Sequence, residues 1–281
     1  MSTIHQIRFP APALQPFVKC YLDISMGTPG RSVDCTLPAK LEQCIFFSTG
    51  SVPVIEDQSK RQGNILSPDK CCNVRGGVSH STLQLEITGT LTMFVVIFHP
   101  TGFYRFFKIP ASHFADTFTQ ADISLGKEWE TLGLRIRETK TIDEKRSLAE
   151  GYLLKQLNGH LADPDHTDET TLRLLHTPGI SVDQMAKQSF LSERQFRRKF
   201  TERTGLSPQA FARISRINLA IRTKKLKPHR SWRSIALEAG YTDQSHFRKE
   251  MKSLMGIDHP PEDTSQRFVD VEGTNFKLLG H

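Results

Sequence analysis

The sequence predicts an α+β protein: a β-rich N-terminal domain with helices at its end, then an all-α C-terminal domain of two helix-turn-helix modules joined by a long helix. Three observations carry that expectation. The hydrophobic period changes from strand-like to helical along the chain, a breaker-rich stretch sits where the charge balance also changes, and a unit of about fifty residues occurs twice near the C-terminus. At 281 residues the chain has room for one or two compact units, each with its own core.

In chain order, the strand signals come first. Gln43-Cys-Ile-Phe-Phe47, Leu83 to Ile87 and Leu91 to Phe98 are short runs of β-branched and aromatic residues, separated by Gly, Pro, Ser and Asn clusters. Arg75-Gly-Gly77 has turn chemistry. From about Ser124 to Leu161 the spacing becomes helical, with Trp129, Leu132 and Ile136, then Leu148, Tyr152, Leu153 and Leu157, forming apolar stripes. Such a stripe serves either as packing against the sheet or as a dimer surface, and packing is the expectation. Downstream, five or more helices fit. Ser181 with Gln184 and Ser192 with Gln195 have capping-box spacing, in which each side chain satisfies a free N–H at a helix start. Ser207-Pro208 places a capping hydroxyl before a proline at the first helical position, and a helix from there to about Leu226 follows.

Charge divides the chain at the same place. Residues 168–261 hold 18 Lys and Arg against 9 Asp and Glu; residues 1–167 hold 17 against 17, and residues 262–281 hold 2 against 4. The stretch Asn158-Gly-His-Leu-Ala-Asp-Pro-Asp-His-Thr-Asp-Glu-Thr170 is rich in breakers, so the boundary is expected near residue 165. The domains are then 1–165, 166–262 and a tail, 263–281. No apolar run approaches the roughly 18 residues that cross a bilayer as a helix, and Met1 to Phe17 lack a basic segment followed by an apolar one, so a cytoplasmic protein is expected. Five cysteines, Cys20, Cys35, Cys44, Cys71 and Cys72, include no CxxC pair and read as reduced thiols.

The repeat pairs Met185-Ala186 and Leu191-Ser-Glu193 with Ile235-Ala236 and Tyr241-Thr-Asp243 at an offset of fifty. With one added residue it goes on, Phe196 with Phe247, Arg198 with Lys249, Phe200 with Met251 and Gly205 with Gly256. In each unit a short helix, a tight turn and a second helix closing on glycine give a helix-turn-helix layout. Helical spacing puts Arg194, Arg197, Arg198 and Thr201 on one face of the first unit's second helix, with Phe196 and Phe200 opposite. In the second unit Ser245, Lys249 and Lys252 lie away from Phe247, Met251 and Leu254, and Gln244, His246 and Arg248 flank them. One basic helix is commonly a solvated surface. Two in register are better matched to double-stranded DNA, because Arg bonds guanine, Gln bonds adenine, and both Lys and Arg neutralise phosphate.

At these residues the sequence resembles the C-terminal DNA-binding domain of the AraC/XylS family of bacterial transcription regulators. The resemblance rests on Ser181-Val-Asp-Gln-Met-Ala186, Leu191-Ser-Glu-Arg-Gln-Phe-Arg-Arg-Lys-Phe200, Gly205-Leu-Ser-Pro208, Ile235-Ala236 and Gly240-Tyr-Thr-Asp-Gln-Ser-His-Phe247, and covers about residues 168–259. It implies DNA contacts by Arg194, Gln195, Arg197 and Arg198 in the first module and by Gln244, Ser245, His246, Arg248 and Lys249 in the second. It also implies that the regulator meets RNA polymerase; activator against repressor, and monomer against homodimer, stay open at this level. Two departures stand out: Ile257-Asp-His-Pro-Pro-Glu-Asp263 replaces the family's small-residue-Pro segment with Tyr-Arg, and Phe190 stands where the second unit has Gly240.

The N-terminal half resembles the sensory domain of some of these regulators through Pro12-Ala-Leu-Gln-Pro16, Leu37-Pro38 and Phe98-His-Pro-Thr-Gly-Phe-Tyr-Arg-Phe-Phe107. By analogy it implies a cupin-like barrel and a small-molecule effector, with Phe103, Tyr104 and Phe106 as candidate pocket residues against the alternative that they are plain core. His80 and His99 stand apart, so no metal is expected, and no cofactor is. GxSxG, P-loop and GxGxxG motifs are missing from the sequence. An enzyme is not expected; a DNA-repair methyl acceptor would need a metal-activated cysteine that this pattern does not supply. The remaining alternative is an architectural DNA binder with an N-terminal dimerisation module.

Overall fold

The computed structural model describes residues 4–37, 39–50, 54–57, 70–77, 83–157, 163–256, 268–271 and 274–277. The chain divides into two compact units, one of Met1–Cys35, Glu42–Gly76 and Gln84–Asp163, the other of Thr36–Leu41, Gly77–Leu83 and Pro164–His281.

The first unit is an antiparallel sheet with helices on it. Its strands are β1 (Ile4–Arg8), β2 (Val18–Leu37), β3 (Cys44–Ser48), β4 (Val54–Asp57), β5 (Cys72–Arg75), β6 (Leu83–Phe98) and β7 (Phe118–Gln120), and its helices are α1 (Gly102–Phe107), α2 (Ala121–Ser124), α3 (Lys127–Arg137) and α4 (Ile142–Leu157). The strand order is β1-β2-β6-β3-β5-β7, and β4 pairs separately with the first half of β6. The expected barrel is not formed: the order ends on β1 and β7, and the sheet is open. Closure needs the two edge strands to pair with each other at a consistent tilt and stagger. Here β7 has three residues and leads directly into α2, while α4 holds the β1 end through Arg8 Nε to Asp143 at 2.9 Å and the Ala11 N–H to Glu150 at 2.8 Å.

Alternation along the strands builds the core on the helix side. Tyr21, Ile45, Phe47, Val74, Phe94, Val96 and Phe98 face one cluster with Trp129, Leu132, Ile136, Ala149 and Leu153. The Trp129 stripe is packing: its indole meets Phe47, Phe107 and Tyr152 at 6.3, 5.5 and 4.9 Å between ring centroids. Gly133 lets α3 lie close on β5, because a Cβ there would stand 2.7 Å from Cys71 Sγ. The two runs read from sequence at Leu83 and Leu91 are one strand, continuous through Gly89 at φ 105°; the break lies in its partners, β4 and then β3.

The second unit consists of α5 (His166–His176), α6 (Val182–Gln188), α7 (Glu193–Thr204), α8 (Pro208–Leu226), α9 (Trp232–Glu238), α10 (Gln244–Met255) and a hairpin of β8 (Phe268–Val271) and β9 (Thr274–Lys277). The capping boxes at Ser181 and Ser192 and the cap at Ser207 are all present, and α8 has the extent read from sequence. One core serves both repeats: Met185, Phe196 and Phe200 from the first, Ile235, Phe247 and Met251 from the second, and Phe211, Ile214, Ile217, Ala220 and Ile221 from α8 between them. The segment Ile257 to Asp263, where a departure from the family was noted, lies outside the described residues. Among the described residues no helix is long and apolar enough to cross a membrane.

Ile217 is fully buried at the middle of this shared core. Ile217→Ala is expected to cost about 2 to 5 kcal/mol through lost burial and an unfilled cavity. Urea denaturation followed by far-UV circular dichroism measures it, and an unchanged midpoint would mean that the helical unit does not depend on α8.

Candidate nucleic-acid interface

The repeat seen in the sequence is a repeat in bonding. The Leu191 N–H donates to the Ala186 carbonyl at 3.0 Å, and the Tyr241 N–H donates to the Ala236 carbonyl at 3.0 Å, closing the same turn twice. Phe190 and Gly240 occupy equivalent left-handed positions, φ 55° and 84°. Glycine adopts this conformation freely, whereas Phe190 holds it under strain, its ring 81% exposed and set against His166 at 5.1 Å. Gly205 and Gly256, at φ 76° and 66°, end α7 and α10 in the same manner. The extra residue in the second unit is accounted for in its turn: Ser192 caps α7, and the position that caps α10 is Asp243, with Thr242 added before it. The Asp243 carboxylate accepts from the His246 N–H at 2.8 Å, which holds it below the usual carboxylate range.

The second helix of each module is divided by its own periodicity. Phe196, Phe200, Phe247 and Met251 are fully buried, while Arg194, Arg198, Ser245, His246, Arg248 and Lys249 are exposed and Arg197 and Gln244 half-exposed. Arg197 reaches Glu193 at 3.3 Å and Arg198 reaches Glu202 at 3.9 Å, both pairs one helical turn apart on the surface. Such pairs contribute little, and their cations exchange readily onto phosphate. Gln195 differs from the other sequence candidates. Its side-chain oxygen accepts from the Ser192 N–H at 3.1 Å and the Ser192 hydroxyl at 2.9 Å, so the cap takes the oxygen that paired readout of adenine needs and leaves the amide NH2. His246 is partly tethered, its ring 5.3 Å from Tyr241.

Buried and part-buried ion pairs set these helices, and sequence reading did not find them. Arg203, near the end of α7, donates to Asp168 at 2.8 Å and Asp165 at 2.7 Å, with Lys199 3.5 Å from Asp165. Asp165 is also the N-cap of α5, in a capping box with Asp168, so one carboxylate starts α5 and holds α7. The Asp165-x-x-Asp168 spacing carried a readable cap signal; the partner 38 residues from Asp165 did not. On the other side, Glu250 of α10 accepts from Arg213 of α8 at 2.5 Å and from the Tyr241 hydroxyl at 3.0 Å. Arg216 lies over the Tyr241 ring at 5.4 Å.

Residues 185–277 match a family model described as a helix-turn-helix domain. This part of the chain, about a third of it, is an AraC-type helix-turn-helix domain. An AraC-type domain belongs to DNA-binding transcription regulators and is not catalytic. Residues 6–120 match a domain of unknown function, DUF6597. No curated protein matches the chain. Among solved structures, ToxT from Vibrio cholerae is similar, in a 1.65 Å form at 12% identity that covers 84% of this chain and 94% of that one with a TM-score of 0.45. ToxT with an unsaturated fatty acid bound is similar at 11% identity, covering 84% and 92%, with a TM-score of 0.45.

The candidate effector residues lie in the first unit's core. Phe103 is fully buried and Phe106 nearly so, with Phe103 packed on Phe98, Phe107 and Phe114 at 5.4, 4.7 and 5.2 Å. Tyr104 is half-buried. The Cys71 thiol is buried and bonded to Glu130 at 3.0 Å; burial first, then that carboxylate, push it up to about 12, which keeps it a protonated, unreactive thiol.

Burial opposes the charge of Asp165, yet Arg203, the Thr167 N–H and Lys199 together hold its carboxyl below the usual range. A depressed carboxylate stabilises the fold above its unfolded pKa of about 4, and the gain is lost as pH falls through the folded value. Asp165→Asn keeps a capping oxygen but removes the charge. The AraC-type domain is therefore expected to lose stability at pH 7, with the difference from the parent closing as pH falls through the depressed value of the folded carboxyl. Urea titrations at a series of pH values from 7 downward measure this; a deficit that does not shrink with acid would assign the loss to the cap.

Proposed function

We propose that the AraC-type domain reads two successive major grooves on one face of double-stranded DNA, with α7 in one and α10 in the next, and that the N-terminal unit adjusts this by binding a small-molecule effector or a second copy of the chain. The observation that carries the reading is the pair of exposed cationic surfaces at equivalent positions of two repeats, each backed by buried aromatic or Met residues of one core. Successive grooves on one face are about 34 Å apart. The 19 residues of α8 span about 28 Å, a connector of the right scale.

Arg194, Arg197 and Arg198 are the first module's contacts and Gln244, Ser245, His246, Arg248 and Lys249 the second's, with Gln195 contributing only its amide NH2. The N-terminal half, with 17 basic and 17 acidic residues among residues 1–167, has no net attraction for DNA and is suited to another task. The site of action is the cytoplasm, where the domain meets RNA polymerase at the promoter.

Arg198→Ala is expected to weaken binding by about 1 to 3 kcal/mol, with the loss concentrated on one base position of the site. Gel-shift titrations over a set of single-base variants measure it, and a uniform loss over all variants would make Arg198 a phosphate contact. Affinity is expected to fall steeply with salt. Footprinting tests the regulator itself: protection of a few defined sites supports it, and coating of DNA without preference would make the protein an architectural binder.

A further inference from the structure

A short piece of the N-terminal half is built into the helical unit. Thr36–Leu41, which leads from β2 to β3 in the chain, belongs to that unit, and so does Gly77–Leu83 after β5. Ala39 and Leu41, 3% and 1% exposed, lie in the same apolar core as Leu206, Leu254 and Met255. The two passes of chain come together at Leu206: a Cβ on Gly77 would stand 3.1 Å from the Lys40 carbonyl oxygen and 3.2 Å from the Leu206 side chain. The Ala39 N–H donates to the Leu254 carbonyl at 2.7 Å. That carbonyl is in the last turn of α10, where a helix supplies no donor of its own.

The two repeats differ at this place. In the first module the end of α7 is sealed by its own chain. The Thr204 hydroxyl donates to the Phe200 carbonyl at 2.8 Å and accepts from the Leu206 N–H at 3.2 Å, and the chain runs on through Ser207 into α8. At the offset of 51 the position of Thr204 is taken by Met255, which has no hydroxyl to offer. The segment after it, Ile257 to Asp263, is also where the sequence departs from the family's closing pattern. The second module thus takes a donor and apolar cover from elsewhere in the chain where the first supplies its own, and Ala39 and Leu41 provide them.

We propose that Ala39–Leu41 is a clasp that positions α10, so that a segment encoded in the N-terminal half is a working part of the second module. The consequence for DNA rests on the groove reading above; the clasp itself does not. A core contact shared by both repeats would hold them alike, whereas the bond to Leu254 reaches α10 alone. The 12 residues of α10 form one stiff rod of about 18 Å, so fixing its C-terminal end against the core sets the direction of the end that carries Gln244 and Ser245. Ala39 and Leu41 are positioning residues: they act on DNA only through α10. A chain cut at residue 165 loses this part of the seat of α10.

The test uses the full chain. Leu41→Ala removes the apolar contact of the clasp, Leu41→Met restores most of its volume, and Ala39→Pro removes the donor to Leu254 as a second, independent variant. Ile217→Ala, which loosens the core that both modules share, is the control for general destabilisation. Without DNA, Leu41→Ala and Ala39→Pro are each expected to speed amide hydrogen exchange between Phe247 and Leu254 about tenfold or more, with α7 near the parent's rate, whereas Ile217→Ala speeds both helices. With DNA, gel-shift titrations over single-base variants are expected to show discrimination falling about tenfold at the positions that Lys249→Ala also affects, and holding at those that Arg198→Ala affects. Leu41→Met keeps both measurements near the parent's. Exchange in α10 that neither Leu41→Ala nor Ala39→Pro changes, or that rises equally in α7, overturns the proposal. The expected exchange without any selective loss of discrimination would establish the clasp and overturn the groove reading of α10.

Discussion

The helical unit depends on one element being wrapped by the others. Along α8, Phe211, Ile214, Ile217, Ala220 and Ile221 are shielded from water, and so are Ala210, Ala212, Ser215 and Asn218 on its remaining sides. A helix buried nearly all round has neighbours all round, and here they include α5, α7 of the first module, and α9 and α10 of the second. Each large apolar side chain contributes about 1.5 to 3 kcal/mol on burial, so several from α8 together outweigh what any single turn of α7 or α10 could gain by moving away. Polar contacts add direction to this non-directional force. Glu250 ties α10 to Arg213, and Lys224, itself buried, donates to the Arg230 carbonyl at 2.8 Å and so holds the turn between α8 and α9.

The charge of the helical unit follows from the same arrangement. Its acidic residues are few, and several are spent inside the structure. Asp165 and Asp168 cap α5 and bind Arg203, Asp243 caps α10, and Glu250 binds Arg213 and Tyr241. On the outward face of α7, Arg197 and Arg198 make surface pairs to Glu193 and Glu202. Folding thus uses four carboxylates, Asp165, Asp168, Asp243 and Glu250, at helix starts and in bridges, and leaves Arg194, Arg198, Arg248 and Lys249 on the solvent side. That sorting makes the unit a ready partner for a polyanion.

In the N-terminal unit the helices perform the covering that a second sheet or a closed barrel would otherwise supply. Trp129, Leu132, Ile136, Ala149 and Leu153 fill the space over the sheet, and Phe103, Phe106 and Phe114 close one end of it. Where that apolar cover stops, at the turn between α3 and α4, the strands carry polar side chains instead. The boundary between the two is one pleat wide, from Phe94 to Thr92, and the buried Lys145 stands on it.

The sequence by itself determined the features whose causes act within a turn or two of chain. Capping hydroxyls at Ser181, Ser192 and Ser207, glycines at Gly205, Gly240 and Gly256, the extent of α8, the repeat and the opposite placing of Phe and Arg on α7 were all legible, because each depends on spacing along one helix. The Trp129 packing stripe was legible for the same reason. Tertiary structure decided what spacing cannot encode. Whether a sheet closes depends on whether its two edges meet, and a three-residue β7 and an α4 bonded to the β1 end leave it open. Phe103 and Phe106 became core because rings from three other segments reach them. The Arg203 bridges and the bond from Ala39 to the end of α10 join residues far apart in the chain, and only packing brings them to one place. Gln195 shows the two levels in one residue: its spacing from Ser192 announced the cap, and the bonded geometry then withdrew its oxygen from any other partner.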